Sequence, residues 1–194
     1  MKKIGLIDWG AYLSEWQSIE ELQDKEEARC RQEMLEEINQ MVLNYASHVR
    51  QYEYERHAQA ILLRGLEVVP VKKKLVEKLW DKFFALTLST NIRRKIRYSE
   101  FKWHMFSYGQ VAAIAGKAAN EAYDRQSRGE AYLFFQCKNE AWQIKNADLL
   151  TADDLNVDID FHRAVFYLFD SSGQWCYVHT HESELGPWFL TQEC

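Results

Sequence analysis

AVFYLFDSSGQWCYVHT, residues 164–180, decides the fold class of this chain. Two aromatic and β-branched runs flank a Ser-Ser-Gly segment at residues 171–173. Such runs are typical of β-strands, and a short Ser and Gly segment between them indicates a hairpin turn. Two more runs of this kind lie at residues 130–137 and 186–190. We therefore predict a mostly antiparallel sheet of three to five strands.

The chain before this region has helical periodicity. Residues 14–59 contain no Gly or Pro and are rich in Glu, Gln, Arg, Leu, Met and Ala, which predicts one long helix or two nearly continuous helices. Ser18 followed by Glu21 fits a capping box at the start of that helix. Apolar residues at helical spacing predict two further helices within residues 71–88 and 110–125.

Together these patterns predict an α+β fold, in which a long N-terminal helix or helical arm and further helices pack on the sheet. The change of character near residue 60 suggests a helical arm, residues 1–60, and a compact α+β domain, residues 61–194.

The composition is that of an ordinary globular protein, with 194 residues, 47% hydrophobic residues and a net charge of −5. Four cysteines without a close pair indicate reduced thiols, so we expect a cytoplasmic location. No apolar run is long enough to span a membrane, and no motif calls for a cofactor. We expect no cofactor, no membrane association and no resident metal.

Residues 175–182, WCYVHTHE, form the densest group of side chains that could bind a metal ion or act as an acid or base. Alternation along a strand would place His179 and His181 on one side, where Glu182 could join them as ligands of a zinc-type ion. His104 or His162 could complete such a site through the fold. The simpler interpretation is that these histidines end a strand and hydrogen-bond to backbone groups, and direct acid or base chemistry is a further alternative.

A second group is FKWHMFSYG, residues 101–109. His104 between large apolar residues is typical of a buried, hydrogen-bonded core histidine. If the stretch is helical, Ser107 lies one turn after His104, and the two could act as nucleophile and base. No third group or Gly-flanked nucleophile elbow supports that alternative.

The long helix has an apolar seam that must be covered by something. Its members alternate at spacings of four and three residues. They are Met34, Ile38, Met41, Tyr45, His48 and Tyr52. The seam could pack on the protein's own sheet or on another helix, or it could form an intermolecular coiled coil, which would make a homodimer through residues 34–52.

Charge is unevenly distributed along the chain. Residues 15–37 hold nine acidic and three basic residues, a net charge of −6, whereas residues 71–102 hold ten basic and three acidic residues, a net charge of +7. A basic segment with interspersed aromatic residues could follow a phosphate backbone through Lys72–Lys74 and Arg93–Arg97. The same separation suits binding of an oppositely charged protein surface.

The blocks Trp103-His104-Met105-Phe106-Ser107 and Thr180-His181-Glu182-x-x-x-Gly186-Pro187-Trp188-Phe189 resemble an uncharacterised bacterial domain-of-unknown-function family with W-H-x-F-S and T-H-E-x-x-x-G-P-[YF]-F blocks. The resemblance covers roughly residues 70–190, and Trp188 departs from its pattern. The family carries no established activity. The resemblance implies a single α+β domain in a cytoplasmic bacterial or phage-related protein, and it marks six positions for attention: Trp103, His104, Thr180, His181, Glu182 and Gly186.

We predict a non-enzymatic interaction protein of the antidote, inhibitor or adaptor type that binds a protein partner. One alternative is a hydrolase that uses a metal or the His179, His181 and Glu182 cluster, and the other is a nucleic-acid binder that uses residues 71–102. The candidate catalytic residues are His104, His181 and Glu182. The candidate binding residues are Trp103, His104, His179, His181, Glu182 and Trp188.

Overall fold

The structure is a computed structural model that describes residues 8–155 and 165–192. The chain forms two units, residues 1–56 and residues 57–194. The domain boundary expected at residue 60 falls inside a long helix, Lys25–Leu63, which runs from the first unit into the second.

The first unit contains the helix α1 (Trp9–Glu20) and most of the helix α2 (Lys25–Leu63). Asp24 caps α2, because its Oδ1 accepts hydrogen bonds from the backbone N–H groups of Glu26 and Glu27 at 2.9 and 3.2 Å. The predicted capping box is wrong: Ser18 lies inside α1, and its hydroxyl donates to the Glu15 carbonyl. The Asp24 carboxylate is the better cap because it sits directly before the helix.

The second unit contains a sheet of seven strands among the described residues, and not the three to five that the sequence predicted. The order is β1-β4-β3-β5-β6-β7-β2, and each neighbouring pair is antiparallel. The strands are β1 (Glu67–Pro70), β2 (Ile114–Ala115), β3 (Ala131–Phe135), β4 (Ala141–Lys145), β5 (Phe166–Asp170), β6 (Trp175–His179) and β7 (Trp188–Thr191).

Three strands were not predicted: β1 and β2, which form the two edges of the sheet, and β4, which lies between β1 and β3. No residue of β1 or β2 is buried, so these edge strands lack the buried apolar alternation that marks a strand in a sequence. β2 lies within the segment predicted as a helix over residues 110–125. That helix, α6 (Gly116–Arg125), begins later because Gly116 has a φ of +62° and its N–H bonds to the Pro187 carbonyl at 2.8 Å.

Helices cover both faces of the sheet. On one face lie α3 (Lys73–Phe84), α4 (Thr90–Lys95) and α5 (His104–Ser107), whose apolar residues share a core with Cys176 and Val178. On the other face, α6 and α7 (Ala152–Leu155) share a core with Trp175 and Tyr177. The alternation of β6 residues between the two cores is the period of two that a strand imposes.

Cys30, Cys137 and Cys176 are free thiols, and burial raises the pKa of Cys176. Cys194 lies outside the described residues. None of the described helices combines the length and the apolar character that a membrane span requires.

Trp80 of α3 is completely buried in the core on the face of the sheet that α3, α4 and α5 cover. Its Nε1 donates to the Tyr98 hydroxyl at 3.1 Å, and this hydroxyl donates to Asp81 Oδ1 at 2.6 Å. Lys102 Nζ also donates to Asp81 Oδ1, at 3.0 Å. Burial and the neighbouring Asp81 carboxylate raise the pKa of Tyr98, so its hydroxyl remains a donor. This network joins α3 to the segment that leads to α5.

We expect Tyr98→Phe to lower the free energy of unfolding by about 1 to 3 kcal/mol, because it leaves the buried Trp80 Nε1 without an acceptor and removes one of the two hydrogen bonds that Asp81 Oδ1 accepts. Tyr123→Phe is the matched control: Tyr123 is equally buried, but its hydroxyl has no hydrogen-bond partner among the described residues. The control should change stability by less than about 0.5 kcal/mol. Urea unfolding measures both, and equal losses would contradict the role of the network.

Candidate functional site

The two blocks that carry the family resemblance meet in the structure, on the face of the sheet that α3 and α5 cover. The His181 ring lies 4.9 Å from the Phe101 ring and 6.1 Å from the Trp103 ring, centroid to centroid. The His104 ring lies 5.5 Å from Phe101 and 4.5 Å from Trp103. The two imidazoles, which are far apart in sequence, therefore share the same two aromatic neighbours. We call this group of rings the histidine corner.

The aromatic residues in and around the histidine corner have mainly a structural role. Trp103 is buried, and its backbone N–H donates to the Tyr167 hydroxyl at 3.2 Å. Its Nε1 is buried without a hydrogen-bond partner among the described residues. Trp188 is half-buried and stacks on Phe106 of α5 at 5.9 Å between centroids. These contacts lock the two blocks together.

His104 is held by the backbone. Its Nδ1 lies 2.7 Å from the Ile96 carbonyl oxygen, and because a carbonyl only accepts hydrogen bonds, Nδ1 carries the proton. The Ser107 hydroxyl donates to the His104 carbonyl oxygen at 3.5 Å and not to the imidazole. The Ser107 and His104 side chains are therefore not arranged as a nucleophile and base.

The turn that carries His181 is closed by Thr180. This residue is buried, and its Oγ1 donates to the Glu182 carbonyl at 2.8 Å. A Cβ on Gly186 would lie 2.6 Å from Thr180 Oγ1, so only a glycine lets the chain come back against Thr180. The turn then leads into β7 through Pro187. Thr180 and Gly186, which the resemblance marked, thus shape the turn.

The prediction that His179 and His181 share one side is wrong. β6 ends at His179, whose ring stacks on Phe166 at 5.2 Å, in the core of the α6 face. His181 lies past the end of the strand and contacts Phe101 and Trp103 of the opposite core. Strand alternation stops where the strand stops, so a spacing of two residues no longer fixes the side.

His181 and Glu182 form the polar edge of the corner. His181 Nε2 lies 3.6 Å from Glu182 Oε1, and their side chains are 19% and 47% exposed, so protonation of the imidazole would create an ion pair. No group of three or more His, Cys, Asp or Glu side chains able to hold a metal ion occurs within residues 8–155 and 165–192. His162, the other suggested helper, lies outside these ranges.

The basic segment 71–102 is divided between structural and exposed cations. Lys73 Nζ donates to the carbonyls of Gln136 and Lys138 at 3.0 and 2.9 Å, and Arg93 donates to those of Leu88 and Ala85 at 3.1 and 2.6 Å. With Lys102 on Asp81, three of the ten cations serve the fold. The remaining seven are exposed: Lys72, Lys74, Lys78, Lys82, Arg94, Lys95 and Arg97.

Sequence reasoning missed Phe101 as the ring shared by both histidines, and it missed Asp81 as the anchor of Tyr98 and Lys102. Phe101 precedes the W-H pair by two residues, which was the only local signal. In the sequence, Asp81 has the position of an ordinary solvent-facing residue of an amphipathic helix. Only its hydrogen bonds with Tyr98 and Lys102, which come from a later segment, give it a structural role.

Gly186→Ala should lower the free energy of unfolding by about 1 to 3 kcal/mol, because the new methyl group overlaps Thr180. Thr180→Ala removes the overlapped atoms, so the double variant should be more stable than the sum of the two single losses predicts, by about 1 kcal/mol. Chemical denaturation of the four proteins measures this coupling.

Gly129→Ala serves as the control for the backbone effect of the substitution. A Cβ on Gly129 meets nothing within 4 Å, and stability should change by less than about 0.5 kcal/mol. Additive losses at Gly186 and Thr180 would show that the close approach does not define the turn.

Comparison with known proteins gives one result. A family model described as "Domain of unknown function (DUF4275)" matches residues 64–189. This range includes the histidine corner and the sheet except for the last two residues of β7, and it leaves out α1 and α2. No curated protein and no solved structure matches the chain. The resemblance to an uncharacterised domain family is confirmed, and the chain belongs to the DUF4275 family of domains of unknown function.

Proposed function

We propose that this protein is a non-enzymatic binding protein of the antidote, inhibitor or adaptor type, and that its α1–α2 helix pair binds a basic surface of a protein partner. The observation that carries the proposal is the exposed acidic surface of the first unit. The nine acidic residues within residues 15–37 are all exposed. Five of them lie in or next to the turn between α1 and α2, namely Glu20, Glu21, Asp24, Glu26 and Glu27.

Internal ion pairs neutralise only part of this surface. Among the described residues, Arg31 pairs with Glu15 and Glu27 at 3.3 and 2.6 Å, and Arg29 pairs with Glu33 at 3.7 Å. No described cation pairs with Glu20, Glu21 or Glu26, which flank the turn. Exposed like charges at this density raise the rate at which an oppositely charged partner associates.

The geometry of the second unit, which we call the body, supports binding over catalysis. The Ser107 hydroxyl and the His104 imidazole are not hydrogen-bonded to each other, and His179 and His181 lie in different cores. Free thiols at Cys30, Cys137 and Cys176 agree with a reducing compartment. We therefore keep the cytoplasm as its location and, on the family resemblance, a bacterial or phage-related origin.

Charge reversal tests this proposal. In a pull-down at low salt, the tagged full-length chain should retain one partner in stoichiometric amount. Reversal at the turn should weaken this complex by about 10- to 100-fold, because it replaces attraction by repulsion. The reversed residues are Glu20, Glu21, Glu26 and Glu27, each changed to Lys.

The matched control reverses four exposed acidic residues of the body to Lys, namely Glu67, Glu100, Glu121 and Glu184. This control has the same net charge and should retain the partner. Loss of binding in both variants would indicate a general charge effect, and retention in both would place the binding surface elsewhere. Circular dichroism of each variant verifies its helix content.

A second candidate function is polyanion binding by the body. Lys74, Lys78 and Lys82 are exposed at intervals of one helical turn along α3, and such a stripe can follow a phosphate backbone.

If this function is correct, fluorescence anisotropy will show binding to single-stranded DNA or RNA of about 20 nucleotides, with steep salt dependence. Reversal of Lys74, Lys78 and Lys82 to Glu should abolish it, and the same change at Lys25, Lys117 and Lys145 should not. Absence of binding at low salt would remove this candidate.

A further inference from the structure

Helix α2 exposes an apolar stripe along its middle. Met34, Met41 and Tyr52 are 63%, 62% and 64% exposed, and Ile38, Tyr45 and His48 are also exposed. These six residues are the seam noted in the sequence, and we call them the α2 seam. A continuous exposed row of large apolar side chains is rare on a monomer and marks an interaction surface.

The seam has the spacing of a coiled coil. Its residues alternate at four and three positions, so they occupy the two core positions of successive heptads. Ile38, Tyr45 and Tyr52 take position a. Met34, Met41 and His48 take position d. Leu35, Val42 and Val49 lie beside the seam and are partly or fully buried, which leaves the seam itself as the uncovered edge of a wider apolar face.

We infer that the occupant of the α2 seam is the α2 seam of a second copy of this chain, packed antiparallel. The first argument is internal symmetry. In an antiparallel pair, each residue lies level with a residue equally far on the other side of the twofold axis. With the axis at Leu43, Met41 is level with Tyr45 of the second copy, and Ile38 with its His48. Met34 is then level with Tyr52 of the second copy.

Every a position therefore meets a d position of the other copy, without a gap or a shift. Two of the three distinct layers pair methionine with tyrosine. A thioether against the edge of an aromatic ring is a favourable contact, and the flexible methionine fills the space beside the ring. A parallel pair would instead place like residues in the same layer and would lose the methionine–tyrosine contacts.

The second argument is charge. A parallel dimer would place the two acidic stretches, residues 15–37 with a net charge of −6 each, side by side. The antiparallel dimer separates them to opposite ends. There each lies beside residues 48–59 of the second copy, which contain two arginines and two glutamates and are neutral. Like-charge repulsion thus disfavours the parallel pair and leaves the antiparallel pair.

The dimer is independent of the acidic turn that the proposed partner would bind. It presents two such turns, one at each end, so the dimer would bind partner in a ratio of two to two. Failure of one proposal therefore leaves the other testable.

Mass measurement tests the dimer. Light scattering on the full chain at about 100 µM should give twice the 23.0 kDa of one chain. Met41→Glu and Tyr45→Glu should each raise the dissociation constant by at least about 100-fold, because they place a carboxylate in a central apolar layer.

Leu43→Glu is the matched control. Leu43 is exposed on the side of α2 away from the seam, so the same new charge at the centre of the same helix should leave the dimer intact. A wild-type monomer at this concentration, or equal weakening by Leu43→Glu and Met41→Glu, would overturn the inference.

Cross-linking tests the direction of the helices. In a background where the native cysteines are replaced by Ala or Ser, Met34→Cys and Tyr52→Cys chains are oxidised separately and as a mixture. The antiparallel dimer yields covalent dimers only in the mixture, because Met34 is level with Tyr52 of the other copy. Covalent dimers of Met34→Cys alone would show a parallel pair and overturn the inference. Dimer mass should persist when Glu20, Glu21, Glu26 and Glu27 are reversed.

Discussion

The hydrogen bond from the Trp80 indole to Tyr98 is the interaction on which the histidine corner depends. The indole is surrounded by four aromatic rings, those of Phe84, Phe134, Tyr167 and Phe169. The phenylalanine rings offer no acceptor for an N–H group, the Tyr167 hydroxyl is already bonded to Trp103 and Gln136, and an unpaired N–H is costly to bury. The Tyr98 hydroxyl supplies the acceptor and donates its own hydrogen bond to Asp81. The chain between α4 and α5 must therefore cross α3 at this point, which brings Phe101, Trp103 and His104 over the sheet.

The corner combines a rigid frame with a small accessible edge. Trp103 is anchored to the centre of the sheet through Tyr167, whose hydroxyl also donates to Gln136. Thr180 and Gly186 fit against each other and set the path of the turn. His181 and Glu182 form its polar edge, with side chains that are 19% and 47% exposed. Much of the pattern by which the family is recognised is thus explained by packing.

The two units differ in how they use apolar residues. The body buries most of its described tryptophans, tyrosines and phenylalanines in two cores on either side of the sheet. The helix pair keeps large apolar side chains on its surface, in a separate row from its acidic turn. A long helix with few buried residues gains little from its own unit. Such a helix is better suited to contacts with other molecules, and this is why both proposals place binding on α1 and α2.

The sequence by itself determined the long helices, the amphipathic α3 and the four central or near-central strands, because each has a period that depends only on local geometry. It also identified the blocks around Trp103 and His181 that later met. The tertiary structure decided the rest. β1, β2 and β4 are strands because a neighbour pairs with them, and His181 does not share the side of His179 because β6 ends two residues before His181. Local periodicity cannot report either event, since strand pairing and strand termination are set by contacts between residues distant in sequence.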